Sequence, residues 1–134
     1  LGSADIKRSG RDCTLIAWSN MIPRSLEAAE RLSAEGLEGE VIDPRTLVPF
    51  DHATVLESVR RTEHVVIVQE AVRRGGIASD IASVIQAEAF DYLDAPIEIV
   101  AGLDTPIPYS RPLEQACIPQ VDDIVAGVKR AVYS

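Results

Sequence analysis

A chain of 134 residues is long enough for one hydrophobic core and too short for two. Its formal charge of −8 excludes a nucleic-acid binder that works through a concentrated basic surface, and no apolar run approaches the ~20 residues of a membrane-spanning helix. Apolar residues make up 46% and aromatics only 4%, an aliphatic interior suited to a sheet covered by helices on both faces.

Residues 1–12 are polar and aperiodic, and are expected as a linker or appended residues ahead of a domain over 13–134. They open Leu1-Gly2-Ser3-Ala4-Asp5, without an initiator Met or a signal peptide, and read as a cut through a longer chain. Residues 13–18 form a short apolar run rich in strand formers. The next segment carries Ile22, Leu26, Ala29 and Leu32 at helical spacing, with Pro23 in the first turn and Gly36 as the stop. Val41-Ile42 make a second strand that Pro44 ends. Pro49 and Asp51 introduce another helix, with Asp51 as N-cap and Val55, Leu56 and Val59 facing inward.

His64 to Gln69 is continuously apolar at its centre and predicts the most buried strand. After Gly75-Gly76 a helix is expected from about 77 to 93, with Ile77, Ile81, Val84, Ile85 and Leu93 inward and Asp80, Gln86 and Glu88 on the wetter faces. Pro96 separates it from a strand over Ile97 to Ala101. The segment Asp104-Thr105-Pro106-Ile107-Pro108-Tyr109-Ser110-Arg111-Pro112-Leu113-Glu114 holds three prolines, so it predicts an extended strip, neither helix nor central strand. A closing helix puts Val121, Ile124, Val125, Val128 and Val132 on one stripe, which makes Val125→Asp a change expected to unfold the domain. Strands alternating with helices imply a mostly parallel sheet between helical layers.

The residues form no self-contained active site. Gly75-Gly76 lack both the GxGxxG pattern and a P-loop lysine, and read as packing glycines. His52 and His64 have no metal-ligand spacing around them and read as surface or capping residues. Ser19, Ser79 and Ser110 lack a GxSxG elbow. Cys13 and Cys117 are isolated, which fits a reducing compartment better than a secreted disulfide scaffold, and Cys117 is expected to be inert. Glu70 is the best lone candidate, because ligands gather at the carboxyl ends of parallel strands.

Several segments together resemble the transketolase-like family's C-terminal domain: Val41-Ile42-Asp43-Pro44-Arg45-Thr46-Leu47-Val48-Pro49-Phe50-Asp51, Val68-Gln69-Glu70-Ala71 with Gly75-Gly76, and Ile118-Pro119-Gln120-Val121-Asp122-Asp123-Ile124. The proline strip and Ala89-Phe90-Asp91-Tyr92-Leu93-Asp94-Ala95-Pro96 look most like the beta subunits of thiamine-diphosphate-dependent 2-oxo acid dehydrogenases, of pyruvate, branched-chain or acetoin type. Pro44 and Val72-Arg73-Arg74 depart from the family pattern.

The resemblance implies a three-layer α/β/α fold and a non-catalytic assembly and partner-docking domain. Thiamine diphosphate and Mg would belong to the parent enzyme and lie outside this domain. The parent would oxidatively decarboxylate a 2-oxo acid and pass the acyl group to lipoyl-lysine. Its implied partners are the dehydrogenase alpha subunit, a second beta subunit and the peripheral subunit-binding domain of the lipoyl acyltransferase. Asp94 and Ser134 at the chain's end are the implied contacts, and the implied compartment is the cytoplasm, or the mitochondrial matrix or plastid of a eukaryote. Two alternatives stand beside this reading: the same domain in a transketolase or deoxyxylulose-phosphate synthase, and an independent small-molecule-binding α/β domain using Glu70 and Gly75-Gly76.

Overall fold

Five strands form one sheet in the order β1-β3-β2-β4-β5. They are β1 (Asp5–Arg8), β2 (Cys13–Ala17), β3 (Gly39–Asp43), β4 (Val65–Val72) and β5 (Glu98–Gly102). The computed structural model describes residues 4–45, 52–72, 77–102 and 118–133, with the side chains of 71, 72 and 102 left aside. β2, β3, β4 and β5 run parallel, and β1 joins the β3 edge antiparallel. Helices α1 (Met21–Ser33), α2 (His52–Thr62), α3 (Ile77–Ala89) and α4 (Val121–Tyr133) follow β2, β3, β4 and β5 in sequence. The expected three-layer α/β/α architecture with a mostly parallel sheet is the one found.

In-register rows of aliphatic side chains build the interior. Val41, Leu15 and Val66 pair across β3, β2 and β4, and face α1 and α4 with Val68 and Val100. Ile42, Ile16 and Ile67 form the next row on the opposite face, under α2 and α3. Because each face has its own helical cover, β4 can be apolar at every central position, as its sequence predicts. α1 closes at Gly36, whose φ of +86° is costly for residues other than glycine. There the Leu37 N–H donates to the Leu32 carbonyl at 3.0 Å and satisfies an end group of the helix. α4 starts with Asp123 accepting from the Gln120 N–H at 2.8 Å, and its acidic first turn and basic Arg130 suit the helix dipole.

Three expectations change. Residues 1–12 are not a bare linker, since Asp5–Arg8 form a sheet strand. Apart from the exposed Ile6 its side chains are charged, as an edge strand allows, and Arg8 secures it by donating to the Gly39 carbonyl, Glu30 and Glu38 at 2.9, 3.1 and 3.0 Å. α3 ends at Ala89 and passes into a 3-10 turn over Phe90–Tyr92, short of Leu93. Its buried stripe is Ala78, Ile81, Ile85 and Ala89, whereas Ile77 is 43% exposed. Small alanines carry no hydropathy signal that competes with the flanking Ile77 and Val84. The proposed Asp51 cap, Gly75-Gly76, the proline strip, Cys117 and Ser134 lie outside the described residues.

Candidate docking surface

Because β2 to β5 are parallel, the residues that enter them share one edge of the sheet. Asp12 leads into β2, Leu37 into β3, His64 into β4 and Pro96 toward β5. The helices run back against the strands, so the carboxyl ends of α1, α2 and α4 arrive at this same edge. Gly36, Thr62 and Tyr133 from those ends line a cleft of about 400 Å³ together with Asp12, Arg61 and His64. A second, mostly apolar groove of about 670 Å³ also includes Tyr133 and is lined by Pro96, Glu98, Ala126, Lys129 and Arg130.

Asp94 sits on the turn between the 3-10 segment and β5, with its side chain 73% exposed. Its backbone is fixed, since the Asp94 N–H donates to the Glu63 carbonyl at 2.9 Å. The His64 ring, only 13% exposed, places Nε2 at 3.7 Å from Asp94 Oδ2 and Nδ1 at 2.9 Å from the Ala131 carbonyl in α4. Asp94 and the final turn of α4 are thus joined through one imidazole, although Ser134 itself lies outside the described residues. Phe90, Tyr92 and Tyr133 are 63%, 46% and 69% exposed, and Arg60 lies over the Tyr92 ring at 5.6 Å. Exposed aromatics next to carboxylates make a surface able to bury apolar area while selecting a partner by charge. Of the surface or capping role that the sequence suggests for His64, the structure shows a mostly buried ring bonded to a carbonyl in the last turn of α4; no spacing rule could have paired it with Ala131, 67 positions away.

Sequence reasoning also missed a buried polar cluster between the sheet and α2. Thr14 Oγ1 lies 2.7 Å from both Ser58 Oγ and Thr62 Oγ1, all three residues being buried. Glu40 is 2% exposed, pairs with Arg61 Nη2 at 2.8 Å and accepts from the Gly10 N–H at 3.2 Å. Burial pushes its carboxyl up, but the Ser58 hydroxyl, the Arg61 guanidinium and the Gly10 N–H outweigh that and hold it below the ordinary range. A depressed folded-state value stabilises above the unfolded value of about 4.3 and loses that contribution as pH falls through the folded one. Glu40→Gln is accordingly expected to flatten the fall of Tm between about pH 5 and about pH 3, as followed by circular dichroism. A parallel decline in wild type and variant would remove Glu40 from the acid response.

The remaining candidates do not assemble into chemistry. Glu70 is exposed and accepts from Asn20 Nδ2 at 3.3 Å. His52 is exposed, 3.9 Å from Glu88. Cys13 is fully buried, and burial drives its thiol far up, away from the reactive thiolate. Among the described residues no group of three or more His, Cys, Asp or Glu is arranged to hold a metal ion, and no helix is long and apolar enough to cross a membrane.

The chain is thus a mostly parallel α/β/α domain whose surface at this edge carries a carboxylate, an imidazole and exposed aromatics. The family model described as "Transketolase, C-terminal domain" matches residues 2–124, and the chain belongs to that family. It is 46% identical over 133 residues to the mitochondrial pyruvate dehydrogenase E1 component subunit beta-2 of Oryza sativa subsp. japonica, covering 99% of this chain and 35% of that protein. It is 42% identical over 132 residues to the pyruvate dehydrogenase E1 component subunit beta of Rickettsia felis, covering 98% of this chain and 40% of that one. Among solved structures, a split-gene transketolase described as an inactive beta4 tetramer superposes with a TM-score of 0.87 at 32% identity, over 98% of this chain and 43% of that chain. The chain therefore spans between a third and a half of the length of these relatives.

Proposed function

We propose that the chain is the transketolase C-terminal domain of a 2-oxo acid dehydrogenase beta subunit, of pyruvate dehydrogenase type, and that it assembles and docks without catalysing. The relatives named beta subunits of pyruvate dehydrogenase support the parent. The docking role rests on one observation: Asp94 holds its carboxylate in solvent from a pinned backbone, beside exposed aromatics and the last turn of α4. A basic surface would be steered to that carboxylate and held by charge-assisted bonds. The peripheral subunit-binding domain of the lipoyl acyltransferase is the partner we assign to Asp94 and Ser134, with the alpha subunit and a second beta subunit meeting other faces. The parent would work in the bacterial cytoplasm, or in the mitochondrial matrix or plastid of a eukaryote.

In the parent enzyme thiamine diphosphate with Mg supplies the decarboxylation of the 2-oxo acid. Among the described residues no group of three or more His, Cys, Asp or Glu is placed to hold the Mg. The transketolase alternative shares the fold, but the dehydrogenase beta subunits are more similar, at 42–46% against 32% identity. The ligand-binding alternative gains nothing from Glu70, which is already engaged by Asn20.

Calorimetric titration with the peripheral subunit-binding domain of a pyruvate dehydrogenase acyltransferase tests the proposal. Binding is expected to weaken as salt rises, and Asp94→Ala to cost about tenfold in Kd, the equivalent of about 1.4 kcal/mol. Absence of binding even at low salt would sink the docking role.

A further inference from the structure

The imidazole that joins Asp94 to α4 is bonded in an unusual sense, because both of its ring nitrogens face acceptors. A carbonyl oxygen only accepts, so Nδ1 carries the proton that goes to Ala131 at 2.9 Å. In the neutral ring Nε2 then holds a lone pair, 3.7 Å from Asp94 Oδ2. Protonation replaces the opposition by an N–H facing an anion. We propose that His64 is the positioning residue of this surface: a proton-dependent tie that draws the Asp94 turn toward the final turn of α4 and masks the Asp94 charge.

The ring lies against the last turn of α4. Other ionisable groups lining the cleft are Glu63 and Arg61 from the end of α2, Arg11 and Asp12 from the turn before β2, and Tyr133 from α4. Arg61 is already committed to Glu40 at 2.8 Å. The Asp94 N–H is fixed to the Glu63 carbonyl at 2.9 Å, so the turn has one end anchored and the other subject to the ring's charge. An imidazolium within 4 Å of Asp94 competes with any cation that a partner brings to the same carboxylate. The deepening rests on the docking reading for its consequence, but the tie itself lies within this chain.

Two measurements separate the tie from the docking role. In the chain alone, amide resonances of residues 93–95 and 131–133 are followed by NMR between about pH 8 and about pH 5.5, the range over which histidine changes charge. Both sets are expected to shift together in the wild type and to stop shifting in His64→Gln, which keeps a polar side chain of similar reach. Shifts that persist in His64→Gln, or that occur in only one set, overturn the proposal. Binding of the peripheral subunit-binding domain is then measured at both pH values. Wild-type affinity is expected to fall severalfold at the lower pH, and that fall to vanish in His64→Gln. Linked NMR shifts without binding at either pH would leave the tie standing and remove the docking role. Binding that is equally strong at both pH values would overturn the masking of Asp94.

Discussion

Val128→Asp is expected to abolish the folded state. Val128 is fully buried on α4, in the cluster that α1 and α4 close over the sheet with Leu15, Val66, Val68 and Val100. The aspartate would place a carboxylate among the aliphatic side chains of that cluster. Such a charge costs about 3–5 kcal/mol, against a total stability of about 5–15 kcal/mol for a domain. Urea denaturation should show either no cooperative transition or one displaced by most of the wild-type midpoint. Val125→Asp, the change suggested by the sequence stripe, should do less. Val125 is only partly buried, and its carboxylate could turn toward water. Equal losses for the two variants would mean that α4 is rotated from the orientation described here.

The second large effect is expected at Gly10. A Cβ there would stand 2.4 Å from the Gly39 carbonyl carbon and 2.6 Å from the Glu40 nitrogen, both of them backbone atoms of β3. Side chains can swing aside, but a sheet strand cannot, so Gly10→Ala must push the β1–β2 connection away from β3. That movement also withdraws the Gly10 N–H from the buried Glu40 carboxylate, which it meets at 3.2 Å. Strain from overpacking and the weakened polar contact together are expected to cost about 2–3 kcal/mol. Hydrogen exchange should localise the loss, with faster exchange in β1 and in the β3 amides it pairs with, and little change in α4. Unchanged exchange in β1 would show that the turn accommodates the methyl group.

Much of this fold was legible because its central strands carry continuous apolar runs. Leu15-Ile16 and Val65 to Val68 can be buried on both faces only if helices cover both, and that alone defines the layers. Gly36 marked the end of α1 because its backbone conformation is one that glycine adopts without strain. Edge and small-residue features were not legible. Asp5–Arg8 alternates no apolar side, since it buries little, and is held by the Arg8 guanidinium instead of packing. Ala78 and Ala89 define the inner line of α3 by fitting closely, a property that hydropathy does not record. Thr14, Ser58, Thr62 and Glu40 resemble surface residues in sequence, and only their mutual hydrogen bonds make their burial possible. Of the proposed docking surface, Asp94 was named through the family resemblance. The His64 connection was not, because it depends on where β4 begins relative to the end of α4.

The position of α4 in the chain carries a consequence for biosynthesis. The sheet face bearing Leu15, Val66, Val68 and Val100 is shared between α1, made early, and α4, which begins only at Val121. While ribosomes add the intervening residues, at roughly 5–20 per second, that aliphatic face has half its roof. For those seconds the nascent chain displays a greasy stripe beside an otherwise ordered sheet, the sort of surface that chaperones bind. Arg31 and Glu35 on the α1 side wait for Asp122 and Lys129, at 2.7 and 2.9 Å in the finished domain. Lesions in α4 therefore strike the half of the roof that this face gains only after its strands have been made.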